Sequence, residues 1–148
     1  MLFKIDGSST VKATQAIVFS FLTNPRSIGE CFPDIQSLEV LDAETFKAKV
    51  KTGISYIKGA FDFKFNFIEK QAPIKATLKG HGTGRGSAID LITKMELKEI
   101  EGGDTTVNWA AEARISGTLV AVGSRIVETA AGKLITLLFI NVRNQLER

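Results

Sequence analysis

Gly59-Ala60-Phe61-Asp62-Phe63-Lys64-Phe65-Asn66-Phe67-Ile68 decides the fold. Phenylalanine stands at every second position from 61 to 67, and Asp62, Lys64 and Asn66 fill the gaps. A period of two belongs to a strand with one face buried and one in water, the habit of antiparallel sheets. Burying one phenylalanine is worth roughly 1.5–3 kcal/mol. A one-residue slip would turn all four to solvent, so the register is tightly held.

The same period continues on both sides. Ile74 to Gly82 reads as the next strand, and Gly80, Gly82, Gly84 and Gly86 alternate along and beyond it. A nucleotide loop would need a helix after these glycines to hold phosphate, and another strand follows instead. Glycines in phase with Leu78 leave one face bare, so either the last helix approaches closely there or a cavity opens. Ser87 to Ile100 places Ile89, Leu91, Met95 and Leu97 on one face, and a Gly102-Gly103-Asp104 turn leads to Thr106–Ser116. There Val107, Trp109, Ala111, Ala113 and Ile115 alternate with Asn108, Glu112 and Arg114. Upstream, Phe46, Ala48 and Val50 alternate with Lys47, Lys49 and Lys51, and Ile35–Leu41 is a further strand. The lysines read as the charged, solvated face of their strand, with an acidic partner or anionic lipid as the lesser alternative.

The ends of the chain change period. Leu2 to Lys12 is a first strand with Phe3, Ile5 and Val11 in phase. Ile17, Val18, Phe21 and Leu22 follow at helical spacing, with Thr14 in position to cap them. Asn24-Pro25 opens a second short helix through Cys31, since proline suits the first helical position and asparagine the cap before it. From Thr118 to about Glu147 the spacing predicts one long helix with a stripe of Leu119, Val122, Ile126, Val127, Ala130, Leu134, Leu137 and Leu138. Ile135, Phe139 and Leu146 fall off that stripe and read either as stray exposed residues or as a surface for a homodimer, a partner or lipid. The order defines a single α+β domain over residues 1–148: a curved antiparallel sheet of about seven strands wrapped around a long C-terminal helix, with two short helices after the first strand.

Composition agrees. At 148 residues, 44% hydrophobic and 24% charged, the chain can bury a core and is neither disordered nor repetitive. Ten Phe against one Tyr and one Trp make that core apolar, with few polar handles. A net charge of +3, spread along the chain, argues against a nucleic-acid partner. One Cys and one His exclude an intrachain disulfide and a Cys/His metal centre, and no metal or cofactor is expected. The first residues lack the basic and apolar regions of a secretory signal, and no apolar run reaches the ~20 residues of a spanning helix. A cytoplasmic protein with at most peripheral membrane contact is expected.

Several motifs in this order carry a resemblance. They are Phe3-x-Ile5-x-Gly7, Phe21-Leu22-Thr23-Asn24-Pro25, Cys31-Phe32-Pro33-Asp34, Gly53, Lys58-Gly59-Ala60-Phe61, the alternating glycines 80–86, Thr105-Thr106-Val107-Asn108-Trp109, Ile115-x-Gly117-x-Leu119 and Gly123. The chain resembles the carbon monoxide dehydrogenase G-subunit family, within the START-like or Bet v 1-like (SRPBCC) helix-grip superfamily. That family commonly has Gly after the Cys-x-Pro, where this chain has Asp34. The resemblance implies a hydrophobic cavity between sheet and helix. It also implies an accessory role beside a molybdenum hydroxylase of the carbon monoxide dehydrogenase type, in membrane recruitment or quinone handling.

Catalytic chemistry finds little support. Asp62, Asp90, Glu96 and Glu112 all fall out of phase with the apolar faces of their strands. His81 lies on the opposite strand face from Leu78, away from any interior substrate. Cys31 sits toward a helix C-terminus beside Glu30, a setting for a packed thiol. The interior therefore holds no evident acid, base or nucleophile, and no catalytic residue is assigned. The expected ligand walls are Phe61, Phe63, Phe65, Leu78, Met95, Trp109, Leu134 and Leu138, with access at one end between the helix and the strand-connecting loops. The expected function is non-catalytic binding of a lipid-like or quinone-like molecule. The rivals are a START-like hydrolase or cyclase, which needs polar groups inside, and a ligand-free interaction module whose Phe face is a filled core.

Overall fold

The structure is a computed structural model that describes residues 1–54 and 57–147, with the side chains of residues 52–54, 57 and 58 outside the description. Gly53 and the Lys58 side chain, both named in the resemblance, fall in that stretch. Strand β1 (Leu2–Val11) leads to helices α1 (Gln15–Leu22) and α2 (Pro25–Gly29). Six strands follow: β2 (Ile35–Val40), β3 (Thr45–Ile54), β4 (Ile57–Gln71), β5 (Lys75–Gly84), β6 (Ser87–Glu99) and β7 (Thr105–Gly117). A 3-10 turn over Thr118–Val122 then leads to α3 (Ser124–Leu146). All neighbours in the sheet are antiparallel, in the order β1-β7-β6-β5-β4-β3-β2, so β1 and β2 form its edges.

Local chemistry sets the helix starts. The Asn24 side chain accepts from the backbone N–H groups of Arg26 and Ser27, and Pro25 takes the first helical position. Thr14 occupies the corresponding place before α1, but its hydroxyl makes no capping bond. Asp34 adopts a left-handed backbone with φ 55°, a conformation that glycine takes freely and aspartate tolerates.

The inner face of the sheet carries two apolar clusters. One joins α1, α2 and the C-terminal half of α3 to Phe46, Phe65, Phe67, Leu97 and Val107. The other gathers Phe3, Phe61, Ala113, Ile115 and Leu119 under Val127 and Ala130 at the opposite end. Phe63 and Leu91 pack against both. The interior is therefore closed at one end by α1 and α2 and at the other by Leu119.

Leu119 corrects the expected helix. Gly117 and Gly123 have φ of 90° and 98°, so the chain turns sharply twice before α3 begins. Thr118–Val122 is thus no part of α3, although Leu119, Val122, Ile126, Val127, Ala130 and Leu138 of the expected stripe all pack into the two clusters. Val127, Ala130, Phe139 and Val142 are buried, and Ile135, Leu138 and Leu146 pack beside them. Phe139 therefore belongs to the core, with Ile135 and Leu146 packed against it and half-buried, so the three are not stray exposed residues. Leu134 and Leu137 lie half-buried at the margin and join neither cluster. No described helix is long and apolar enough to cross a membrane.

Candidate functional site: an apolar band between two closed ends

Four of the large aromatics on the inner face each lie against a glycine of a neighbouring strand. Phe65 pairs with Gly80, Phe63 with Gly82 and Trp109 with Gly7. A Cβ placed on Gly82 would sit 2.5 Å from Cδ1 of Phe63, one on Gly80 2.8 Å from Phe65 and one on Gly7 2.5 Å from Cζ2 of Trp109. Phe61 covers Gly84 in the same way. The bare glycine face is thus filled by rings from the adjacent strand, and neither the helix nor an empty space takes it. The rings also meet one another. Phe65 stacks on Phe63, Phe46 and Phe32 with centroids 5.3, 5.1 and 5.2 Å apart. Rings laid flat on glycine make a low aromatic floor, and they keep bulk away from α3.

The eight expected wall residues divide into two groups. Phe61, Phe65, Leu78 and Met95 are buried, each at 8% exposure or less, and serve as closed core. Phe63, Trp109, Leu134 and Leu138 are half-buried. With them, Ile5, Leu91, Thr93 and Ala111 also lie in phase with the inner face and are half-buried. Ile5, Ala111, Thr93 and Leu78 are neighbours across four strands. Together they form a solvent-reachable band under α3, between the two packed ends.

Polar chemistry lies outside this band. Asp62, Asp90, Glu96 and Glu112 are all exposed. His81 and Asp90 contact at 2.6 Å on the outer face, with side chains 57% and 59% exposed. Cys31 is buried at 2% exposure, and its thiol is pushed up to about 11, chiefly by burial and further by the neighbouring Glu30 carboxylate. Two open depressions, of about 690 and 370 Å³, flank α1 and α2 on the outside of the fold. The cations in the larger one are already paired, Arg26 with Glu30 at 3.7 Å and Lys70 with Glu44 at 2.5 Å, and its one carboxylate, Asp42, accepts from the Glu44 backbone N–H at 2.8 Å.

Thr93 was not among the expected residues. Its position was legible, since it shares the strand face of Leu91 and Met95. A threonine in a β-run is so ordinary a strand former that its hydroxyl drew no notice.

A seven-stranded sheet gripping one long C-terminal helix over an apolar inner face defines a START-like, Bet v 1-like helix-grip protein. A family model for the carbon monoxide dehydrogenase G subunit (CoxG) matches residues 7–147. The chain belongs to that family. No curated protein sequence matches it. Among solved structures, a conserved protein from Geobacillus kaustophilus is similar at TM-score 0.90 and 24% identity, covering 98% of this chain and 95% of that one. A START superfamily protein from Mycobacterium smegmatis aligns at TM-score 0.74 and 10% identity over 97% of each chain. An aromatase/cyclase from a Streptomyces species aligns at TM-score 0.72 and 9% identity, covering 100% of this chain and 95% of that one. At these identities the likeness concerns the fold alone.

Proposed function

We propose that this protein binds a hydrophobic small molecule, lipid-like or quinone-like, in the band between sheet and helix, and that it does so without catalysing a reaction. The observation that carries this reading is the contrast between the two closed ends and the half-buried middle. Phe63, Leu91, Trp109 and Leu138 pack against the core, with Leu134 at its margin, yet solvent still reaches all of them. Apolar surface in that state gains on the order of 25 cal/mol per Å² when a ligand covers it. Phe63, Trp109, Leu134 and Leu138 would form the walls, and Phe61, Phe65, Leu78 and Met95 would hold the floor behind them.

The lack of interior acids among the described residues favours a carrier over an enzyme of the aromatase/cyclase kind, which shares the fold. The half-buried middle favours a carrier over a module with a filled core. Membership in the CoxG family supports a place beside a molybdenum hydroxylase of the carbon monoxide dehydrogenase type, with peripheral membrane contact at most. Native mass spectrometry of the purified protein, with solvent extraction of the same sample, tests this reading. A co-purifying apolar molecule released by extraction supports it. An empty protein that also takes up no added lipid or quinone overturns it.

A further inference from the structure

Four described hydroxyl side chains lie in phase on the inner face of the sheet, and three are committed within the protein. Ser9 Oγ accepts from Arg143 Nη1 at 2.7 Å. Ser87 Oγ meets Thr118 Oγ1 at 3.0 Å and accepts from the Leu119 backbone N–H at 2.9 Å. Thr105 Oγ1 donates to the Ala13 carbonyl at 2.8 Å. All three tie the sheet to its closures, at the ends or along the α3 seam. The fourth, Thr93, is half-buried, and among the described residues its hydroxyl has no hydrogen-bond partner.

Its surroundings single it out further. Leu91 and Met95 flank it along β6, and Leu78 and Ala111 flank it across the sheet. In the described band only Thr93 and Trp109, through its indole N–H, carry a polar side-chain atom, and the neighbour of Thr93 on β7 is the small Ala111. A hydroxyl in apolar surroundings loses a solvent partner when a ligand covers it, and that loss is costly unless the ligand replaces the bond. The charged groups nearest the inner face lie at its margins: Glu99 continues the phase of β6 but is exposed, and Arg143 of α3 is engaged with Ser9.

We infer that Thr93 is the polar anchor of the binding site, and that its hydroxyl donates to a neutral oxygen on the ligand. The ligand class is then an apolar molecule bearing a neutral carbonyl, as in a ketone, a quinone or an ester. A hydrocarbon would leave the hydroxyl unpaired, and a carboxylate held at Thr93 would meet only Leu78, Leu91, Met95 and Ala111 around it on the sheet, with no counter-charge among them. This inference rests on the carrier reading and sharpens it.

The test uses displacement of the neutral probe N-phenylnaphthylamine by a matched pair, methyl nonyl ketone and undecane, on wild-type, Thr93→Val and Thr93→Ser proteins. Valine keeps the shape and removes the hydroxyl, while serine keeps the hydroxyl. The expected result is that Thr93→Val weakens the ketone about five- to tenfold, the effect of one hydrogen bond. Undecane should bind Thr93→Val at least as well as wild type, and Thr93→Ser should retain the preference for ketone. Equal ketone affinity in wild type and Thr93→Val overturns the anchor and leaves the carrier standing. A wild-type protein that binds neither the probe nor the pair overturns the carrier and the anchor with it.

Discussion

The ring of Phe63 lies across Gly82, so close that a Cβ on the glycine would sit 2.5 Å from the ring carbon Cδ1. This pair sits in the middle of the sheet, and Phe63 joins the two apolar clusters. Gly82→Ala should therefore lift the ring and destabilise the fold by roughly 1–3 kcal/mol, the usual effect of overpacking. Adding Phe63→Leu should recover part of that loss, because the smaller side chain can yield. A double-mutant cycle by urea denaturation checks this, and additive effects would show that the ring does not need the glycine.

Phe63 and Phe65 occupy the same strand face but play different parts. Phe65 is 3% exposed and stacked against three other rings, so Phe65→Ala should cost roughly 3–5 kcal/mol of stability. Half-buried Phe63 has less to lose, and Phe63→Ala should cost about half as much while weakening ligand binding severalfold. Denaturation and probe titration on both variants make the comparison.

Helix α3 offers a similar contrast. Phe139 is 6% exposed within the first cluster, whereas Leu137 lies half-buried at the margin. Phe139→Ala should cost roughly 3–5 kcal/mol, and Leu137→Ala no more than about 1 kcal/mol. The reverse order in thermal denaturation would restore the stripe first drawn from the sequence.

Cys31 predicts a pH dependence. Its thiol is raised from 9.0 to about 11 in the fold, so the unfolded chain gives up this proton first as pH rises. Stability from this group is complete below about pH 9 and declines as pH climbs towards 11. Urea midpoints of wild type should fall across that window more steeply than those of Cys31→Ala. Iodoacetamide at pH 8 should label the thiol slowly until denaturant is added.

Much of the architecture was legible because period-two patterns are unambiguous when every second residue is phenylalanine. The parity of β4 placed Asp62 outside, and the same logic placed Asp90, Glu96 and Glu112 on the exposed face. Asn24-Pro25 announced α2 through its own side-chain chemistry. The long helix was drawn too early because Gly117 and Gly123 break it with positive φ, which an apolar count does not register, and its stripe left out Ile135, Phe139 and Leu146. The fate of the alternate glycines was hidden for another reason. Phe63 meets Gly82 only through the pairing of β4 with β5, and one strand read alone does not reveal its neighbour's register. The site suffered most from this, since the eight named walls mix core with margin. Burial separates Phe65 from Phe63, and burial depends on the whole fold.

Trp109 is the only tryptophan and lies half-buried in the proposed band, so its emission reports directly on occupancy. The decisive measurement is energy transfer from Trp109 to N-phenylnaphthylamine during a titration of delipidated protein. The carrier reading predicts transfer that saturates at one probe per chain and is weakened by Phe63→Ala. Transfer that rises linearly without saturation, or none at all, would contradict it.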